Sequence, residues 1–176
     1  MAMWKERILK DALGVGILLT GCLAAGIILN EIRAKPLPLV YSSPEARLNH
    51  AVESLGVGKP LPVAKEGDVS LEEMQTISAG RAALILDARP EVFYRGGHIP
   101  SALSLPRDDF ENGYRGLASV LEPHRDDVLI VYCAGSDCHD SQMVGDALRR
   151  LGYAHVRIFR GGWGEWEGGN LAEEKL

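Results

Sequence analysis

The chain lacks the means for several common designs. It has three cysteines in 176 residues, and one of them, Cys22, sits inside an apolar run, so a disulfide scaffold is excluded. It also lacks a basic stripe. Lys and Arg number 19 against 24 Asp and Glu, a net charge of -5 that is spread unevenly. Residues 1–35 hold Lys5, Arg7, Lys10, Arg33 and Lys35 against Glu6, Asp11 and Glu31, a net of +2, which leaves -7 on the remainder. An acidic body without a basic face speaks against nucleic acid as a partner. No internal repeat is visible, and no paired Cys/His spacing marks a zinc site. The sequence therefore calls for no metal and no cofactor.

What is present begins with a long uncharged run. "ALGVGILLTGCLAAGIIL", residues 12–29, spans roughly 27 Å as a helix, close to the hydrocarbon thickness of a bilayer. Its glycines would weaken a soluble helix but are tolerated in lipid. The expectation is an N-terminal anchor over 1–35, with a transmembrane helix at about 12–30 in contact with membrane lipid. Lys5, Arg7 and Lys10 before the span slightly outnumber Arg33 and Lys35 after it, which favours a single pass with the following domain on the extracytoplasmic (periplasmic) side. "LTGC", ending at Cys22, raises the alternative of a lipoprotein signal, in which that cysteine is lipidated, although the apolar run continues past it.

Residues 36–67 read as a linker with a short helix. "AKPLPLVYSSP" has three prolines and no apolar face, and "SPEARLNHAVESLG" starts with Ser43 as N-cap, presents Leu48, Val52 and Leu55 on one side, and stops at Gly56. From Asp68 to about 170, strand and helix signals alternate. Ser70 and Glu73 form a capping-box pattern ahead of a helix closed by Gly80. "AALILDAR" and "DVLIVYC" are buried-strand runs, "ALSLP" and "HVRIFR" are shorter strands, and Pro90 starts a helical turn. "RDDFENGYRGLASVLEPH" reads as a loose helix broken at Gly113 and Gly116. "DSQMVGDALRRLGY" is amphipathic, with Met143, Val144, Ala147, Leu148 and Leu151 inward and Gly152 at its end. The fold class is α/β: a parallel sheet covered by helices on both faces, preceded by the membrane helix. Sites in such sheets lie beyond the carboxyl ends of the strands, where Cys133 falls.

"LILDARPEVFYRGGHIPSALSLP", "LIVYCAGSDCHDSQMVGDALRRLGY" and "VRIFRGGWGEW", in this order and spacing, resemble the rhodanese (sulfurtransferase) homology domain over about 68–166. Asp87, Arg89, Phe93, Gly97, His98, Ile99, Pro100 and Ala102 stand at the positions of that family's first signature, and Gly161, Gly162 and Trp166 at its closing one. The resemblance implies that Cys133 is the catalytic cysteine, carrying a persulfide between a small sulfur donor and a thiol acceptor. The residues agree, because a loop that leads into a helix N-terminus favours a thiolate. The loop departs from the family's Cys-Arg-x-Gly-x-Arg pattern. It is about two residues longer, and Ala134, Gly135, Ser136, Asp137, Cys138, His139 and Asp140 include no cation. Asp137 and Asp140 would each repel an anionic donor such as thiosulfate by roughly 1 kcal/mol at 4 Å in water. An arginine-dependent phosphatase is excluded for the same reason.

Three roles stay open at this point. Cys138 is either a second thiol, pairing with Cys133 or accepting its sulfur, or a packed side chain at the helix start. Arg89, just after a strand end, is the candidate contact for an anionic donor. The whole domain is either a sulfur-transfer or thiol–disulfide enzyme acting through Cys133, or a non-catalytic rhodanese-like module that binds a protein partner or senses redox state at the membrane. His98 and Asp87 read as orienting groups, and Trp163 and Trp166 as packing.

Overall fold

The computed structural model describes residues 2–33, 37, 41–56 and 67–176. It divides into two compact units, 1–42 and Ser43–Leu176. Most of the proline-rich tether and the loop at 57–66 lie outside the described residues.

The first unit is one helix, α1 (Ala2–Glu31), which extends well upstream of the uncharged run. Its stretch Lys10–Glu31 is long and apolar enough to cross a membrane. Leu13, Ile17, Leu18, Leu19 and Leu23 are all exposed on it. The Thr20 hydroxyl is satisfied within the helix, donating to the Ile17 and Gly16 carbonyls at 2.9 and 3.0 Å. Backbone-satisfied hydroxyls of this kind are compatible with lipid. At the end, the Asn30 side chain both donates to the Leu37 carbonyl (2.9 Å) and accepts from its N–H (2.8 Å).

The second unit holds a four-stranded parallel sheet in the order β2-β1-β3-β4, formed by β1 (Leu84–Asp87), β2 (Leu103–Ser104), β3 (Val128–Tyr132) and β4 (His155–Phe159). Strand alternation divides the core in two. Leu86, Leu129, Val131 and Val156 face α2 (Pro44–Ser54), α5 (Phe110–Leu121) and α6 (Asp140–Arg150). Ile85, Ile130, Tyr132 and Phe159 face α3 (Leu71–Gly80), α4 (Glu91–Gly96) and α7 (Gly162–Gly168). Helices on both faces explain why both long strands read as apolar runs rather than as alternations. β1 pairs with β2 on one side and with β3 on the other, so the chain reverses direction across the sheet between β1 and β3. A crevice at that switch point, beyond the strand carboxyl ends, is where such sheets bind ligands.

Several local expectations change. α2 packs on the domain through the apolar face expected of it, with Leu48, Ala51 and Val52 buried in the core, and the compact unit therefore begins at Ser43 rather than near Asp68. α5 runs unbroken through Gly113 and Gly116; at Gly113 an added Cβ would sit 3.2 Å from Leu105 Cδ1, so the glycine serves close packing rather than a break. α3 ends on Arg81, which takes the left-handed conformation (φ 49°) in place of Gly80. The capping box at the start of α3 holds, with the Glu73 N–H donating to the Ser70 hydroxyl at 3.2 Å and the Ser70 backbone donating to the Glu73 carboxylate, which also pairs across to Arg157 on β4. Pro90 is the N-cap of α4 rather than its first residue.

Candidate active site

Two loops meet at the switch point: 88–90 after β1 and 133–139 after β3. Alternation decides what each presents. Cys133 follows Tyr132 and points to the α5/α6 side, while Tyr132 and Asp87, paired across the strands, point to the other.

Beneath the loops Asp87 and Tyr132 build a buried polar brace. The Tyr132 hydroxyl donates to Asp87 Oδ2 at 2.7 Å and accepts the Ile99 N–H at 3.2 Å. Burial first, then the Asp87 charge, push the Tyr132 phenol far above its ordinary range, so it stays a donor. Arg89 Nη2 donates to Asp87 Oδ2 and to the Gly97 carbonyl, each at 2.7 Å, and its Nε reaches both Asp87 oxygens. Burial works against this cation, but the hydrogen bond and charge of Asp87 outweigh it and hold its pKa above the ordinary value. The guanidinium also lies 4.7 Å from the Trp163 ring centroid. Arg89 is therefore a neutralised, buried part of the wall, which corrects its reading as a charge left open for a donor: only 5% of it is exposed. His98, equally buried, is held by Tyr94, its Nδ1 lying 2.9 Å from that carbonyl.

The catalytic-loop candidate is gripped from two sides. The Trp163 and Gly164 amides, at the start of α7, donate to the Cys133 and Ala134 carbonyls, both at 2.8 Å. Gly162 makes this approach possible: it has φ +59°, and a Cβ there would collide with the Cys133 carbonyl. Within the loop the Cys138 N–H donates to the Gly135 carbonyl at 3.0 Å. At the far end Arg107 Nε donates to Asp140 Oδ1 at 2.8 Å, and the Arg107 amide is tied to the Ala88 carbonyl at 3.1 Å. Asp140 is thus compensated, which corrects its expected role as a second repulsive charge. Asp137 remains exposed, as do Ala134, Ser136 and His139.

Cys133 is 1% exposed, at the entrance to α6. Its Sγ lies 3.3 Å from the Ser141 hydroxyl and 3.2 Å from the Cys138 carbonyl. Cys133 and Cys138 are joined as a disulfide, with Cα atoms 6.3 Å apart, and Cys138 is half-buried. Among the described residues, no group of three or more His, Cys, Asp or Glu side chains is placed to hold a metal ion. Three contributors escaped the sequence reading. Ser141 carried a signal, its place in the first turn of α6. Tyr132 carried one too, as the neighbour of Asp87 on adjacent strands. Arg107 carried none, since 33 residues separate it from Asp140.

The family model of the Rhodanese-like domain matches residues 70–168. The human thiosulfate:glutathione sulfurtransferase is 29% identical over 105 residues, covering 56% of this chain and 90% of its own. The uncharacterized protein YibN of Escherichia coli is 30% identical over 90 residues, 51% of this chain and 59% of its own. The chain spans only 35% and 15% of two longer curated relatives. Among solved structures, the BH2092 protein of Bacillus halodurans superposes with a TM-score of 0.51 at 20% identity, over 76% of this chain and 87% of its own, a likeness of fold.

Proposed function

Because the chain belongs to the rhodanese-like domain family, we propose that it carries out sulfane-sulfur transfer or thiol–disulfide chemistry through Cys133, tethered to a membrane by α1. The observation that carries this reading is the position of Cys133 Sγ, buried at the N-terminus of α6 beside the Ser141 hydroxyl. A helix N-terminus and a hydroxyl donor both favour the thiolate, the form that attacks a sulfur donor. In the first step the Cys133 thiolate attacks the outer sulfur of a persulfide or polysulfide. A new S–S bond forms at Cys133 and the donor's own S–S bond breaks, so that a persulfide leaves as its thiol and a polysulfide leaves one sulfur shorter.

The substrates proposed are a small sulfur donor and a thiol acceptor. With Asp137 exposed and Arg89 sequestered by Asp87, an uncharged or weakly anionic polysulfide fits the loop better than thiosulfate. The exposed apolar side chains of α1 support membrane attachment, with the domain on the extracytoplasmic side as the single-pass reading and lipidation of Cys22 as its alternative. The cation-free loop favours a second reading, a non-catalytic module that binds a protein partner.

Single-turnover consumption of polysulfide by equimolar reduced full-length protein separates the two. Wild type should consume the donor and Cys133→Ser should not. Equal rates in both proteins would remove Cys133 from the chemistry, and no consumption by either would leave the binding module.

A further inference from the structure

We infer that Cys138 turns this site into a sulfide-releasing one, in which the persulfide on Cys133 is resolved internally instead of being passed to an outside acceptor. This role rests on sulfur acceptance at Cys133 and concerns the step after it.

Three features of the loop point this way. The two cysteines stand five residues apart with Cα atoms 6.3 Å apart, inside the range a disulfide accepts without moving the backbone. The loop is held in this shape by contacts other than the disulfide: by α7 at the Cys133 and Ala134 carbonyls, by the Cys138–Gly135 turn, and by the Arg107–Asp140 pair. Finally, Cys133 is enclosed while Cys138 is half-buried, so the second thiol is the more open of the two. A thiol fixed at contact range has an effective concentration far above that of any dissolved acceptor. The terminal sulfur of the persulfide would normally be steadied by loop cations, and residues 133–141 contain no Lys or Arg.

The step balances without an added reagent. The Cys138 thiolate attacks Sγ of the Cys133 persulfide; the Cys138–Cys133 bond forms, the bond from Sγ to the terminal sulfur breaks, and the terminal sulfur leaves as hydrosulfide, taking up a proton. Two cysteine sulfurs are oxidised by two electrons in total and the sulfane sulfur is reduced by the same two. Resetting requires a reductant, a dithiol protein or two low-molecular-weight thiols. The first reductant thiolate attacks the more open Cys138, so that Cys133 leaves as the thiolate that α6 stabilises. A second thiol then takes the mixed disulfide off Cys138 and departs as the oxidised reductant. The site thus consumes the product of a persulfide-forming reaction and needs a thiol-reducing reaction after it.

The test uses fully reduced full-length protein in detergent with stoichiometric glutathione persulfide, read by intact-protein mass and by sulfide trapping. Wild type should release about one equivalent of sulfide and end lighter by two hydrogens. Cys138→Ser should instead hold one added sulfur and release sulfide at least tenfold more slowly, and Cys138→Ala repeats the test without a hydroxyl. Cys133→Ser should do neither. If wild type and Cys138→Ser both hold the added sulfur stably, internal resolution is wrong while sulfur acceptance stands. If none of the proteins takes sulfur, both fail.

Discussion

Asp87 is the residue on which the wall of the site depends. It accepts from Tyr132 and from Arg89 while fully buried, so its two neighbours are not equivalent to it. Asp87→Asn leaves a buried guanidinium without its counter-charge, a loss of about 3–5 kcal/mol. Tyr132→Phe removes one hydroxyl and strands the Ile99 N–H, a loss of about 1–3 kcal/mol. Denaturant unfolding of both variants should rank them in that order, and an equal or reversed ranking would show that the ion pair is not what holds the wall. Arg107 acts at the other end of the loop. Arg107→Gln leaves Asp140 uncompensated at the start of α6, which disfavours a nearby thiolate. Alkylation of reduced Cys133 at fixed pH should slow by roughly two- to tenfold, the equivalent of a few tenths to one unit in thiol acidity. Rescue by Arg107→Lys, which keeps the charge but not the fork, tests whether charge or geometry is at work.

At the scale of elements, the contact that matters most joins the start of α7 to the loop after β3. Gly162 holds a left-handed backbone against the Cys133 carbonyl, and Gly164 lets its neighbour approach, with an added Cβ at 3.2 Å from the Ala134 carbonyl. Gly162→Ala adds both a Cβ collision and a conformational penalty of about 1–2 kcal/mol. The loop must shift, so this variant should melt lower and lose most of its sulfur uptake. Gly164→Ala needs only a few tenths of an ångström of adjustment and should retain uptake within a few-fold. Paired melting curves and single-turnover assays decide this. If Gly162→Ala keeps full uptake, α7 does not position the loop.

For the whole molecule, the division at Ser43 leads to a direct expectation. The sheet, both helical layers and the C-terminal segment, where the Glu174 N–H reaches the His98 carbonyl at 3.0 Å, all lie after it. A fragment of residues 43–176 should therefore melt cooperatively without detergent, whereas a fragment starting at 68 loses Leu48, Ala51 and Val52 from the core and should be several kcal/mol weaker. Full-length protein should stay with membranes through a carbonate wash, and release by the wash would rule out α1 as an anchor. Fatty-acid labelling abolished by Cys22→Ala would instead identify the lipoprotein form.

The same scale separates what the sequence determined from what only tertiary structure decided. Periodicity and turn residues are local properties, so the order of strands and helices, the exposed apolar α1 and the place of Cys133 at a strand end were all legible in the sequence. The resemblance carried by "LILDARPEVFYRGGHIPSALSLP" and the loop after β3 located the domain to within a few residues of the family match at 70–168. Gly113 was misread because close packing against Leu105 outweighs its weak helix propensity, and α5 carries Gly116 through without any such contact. Arg89 and Asp140 were misread because charge compensation is a matter of distance in space. Asp87 takes the first, and Arg107, brought over by the β1–β2 pairing, takes the second. Whether Cys138 reaches Cys133 also lay beyond the sequence: the loop's conformation depends on α7 and Arg107, which hold it from outside.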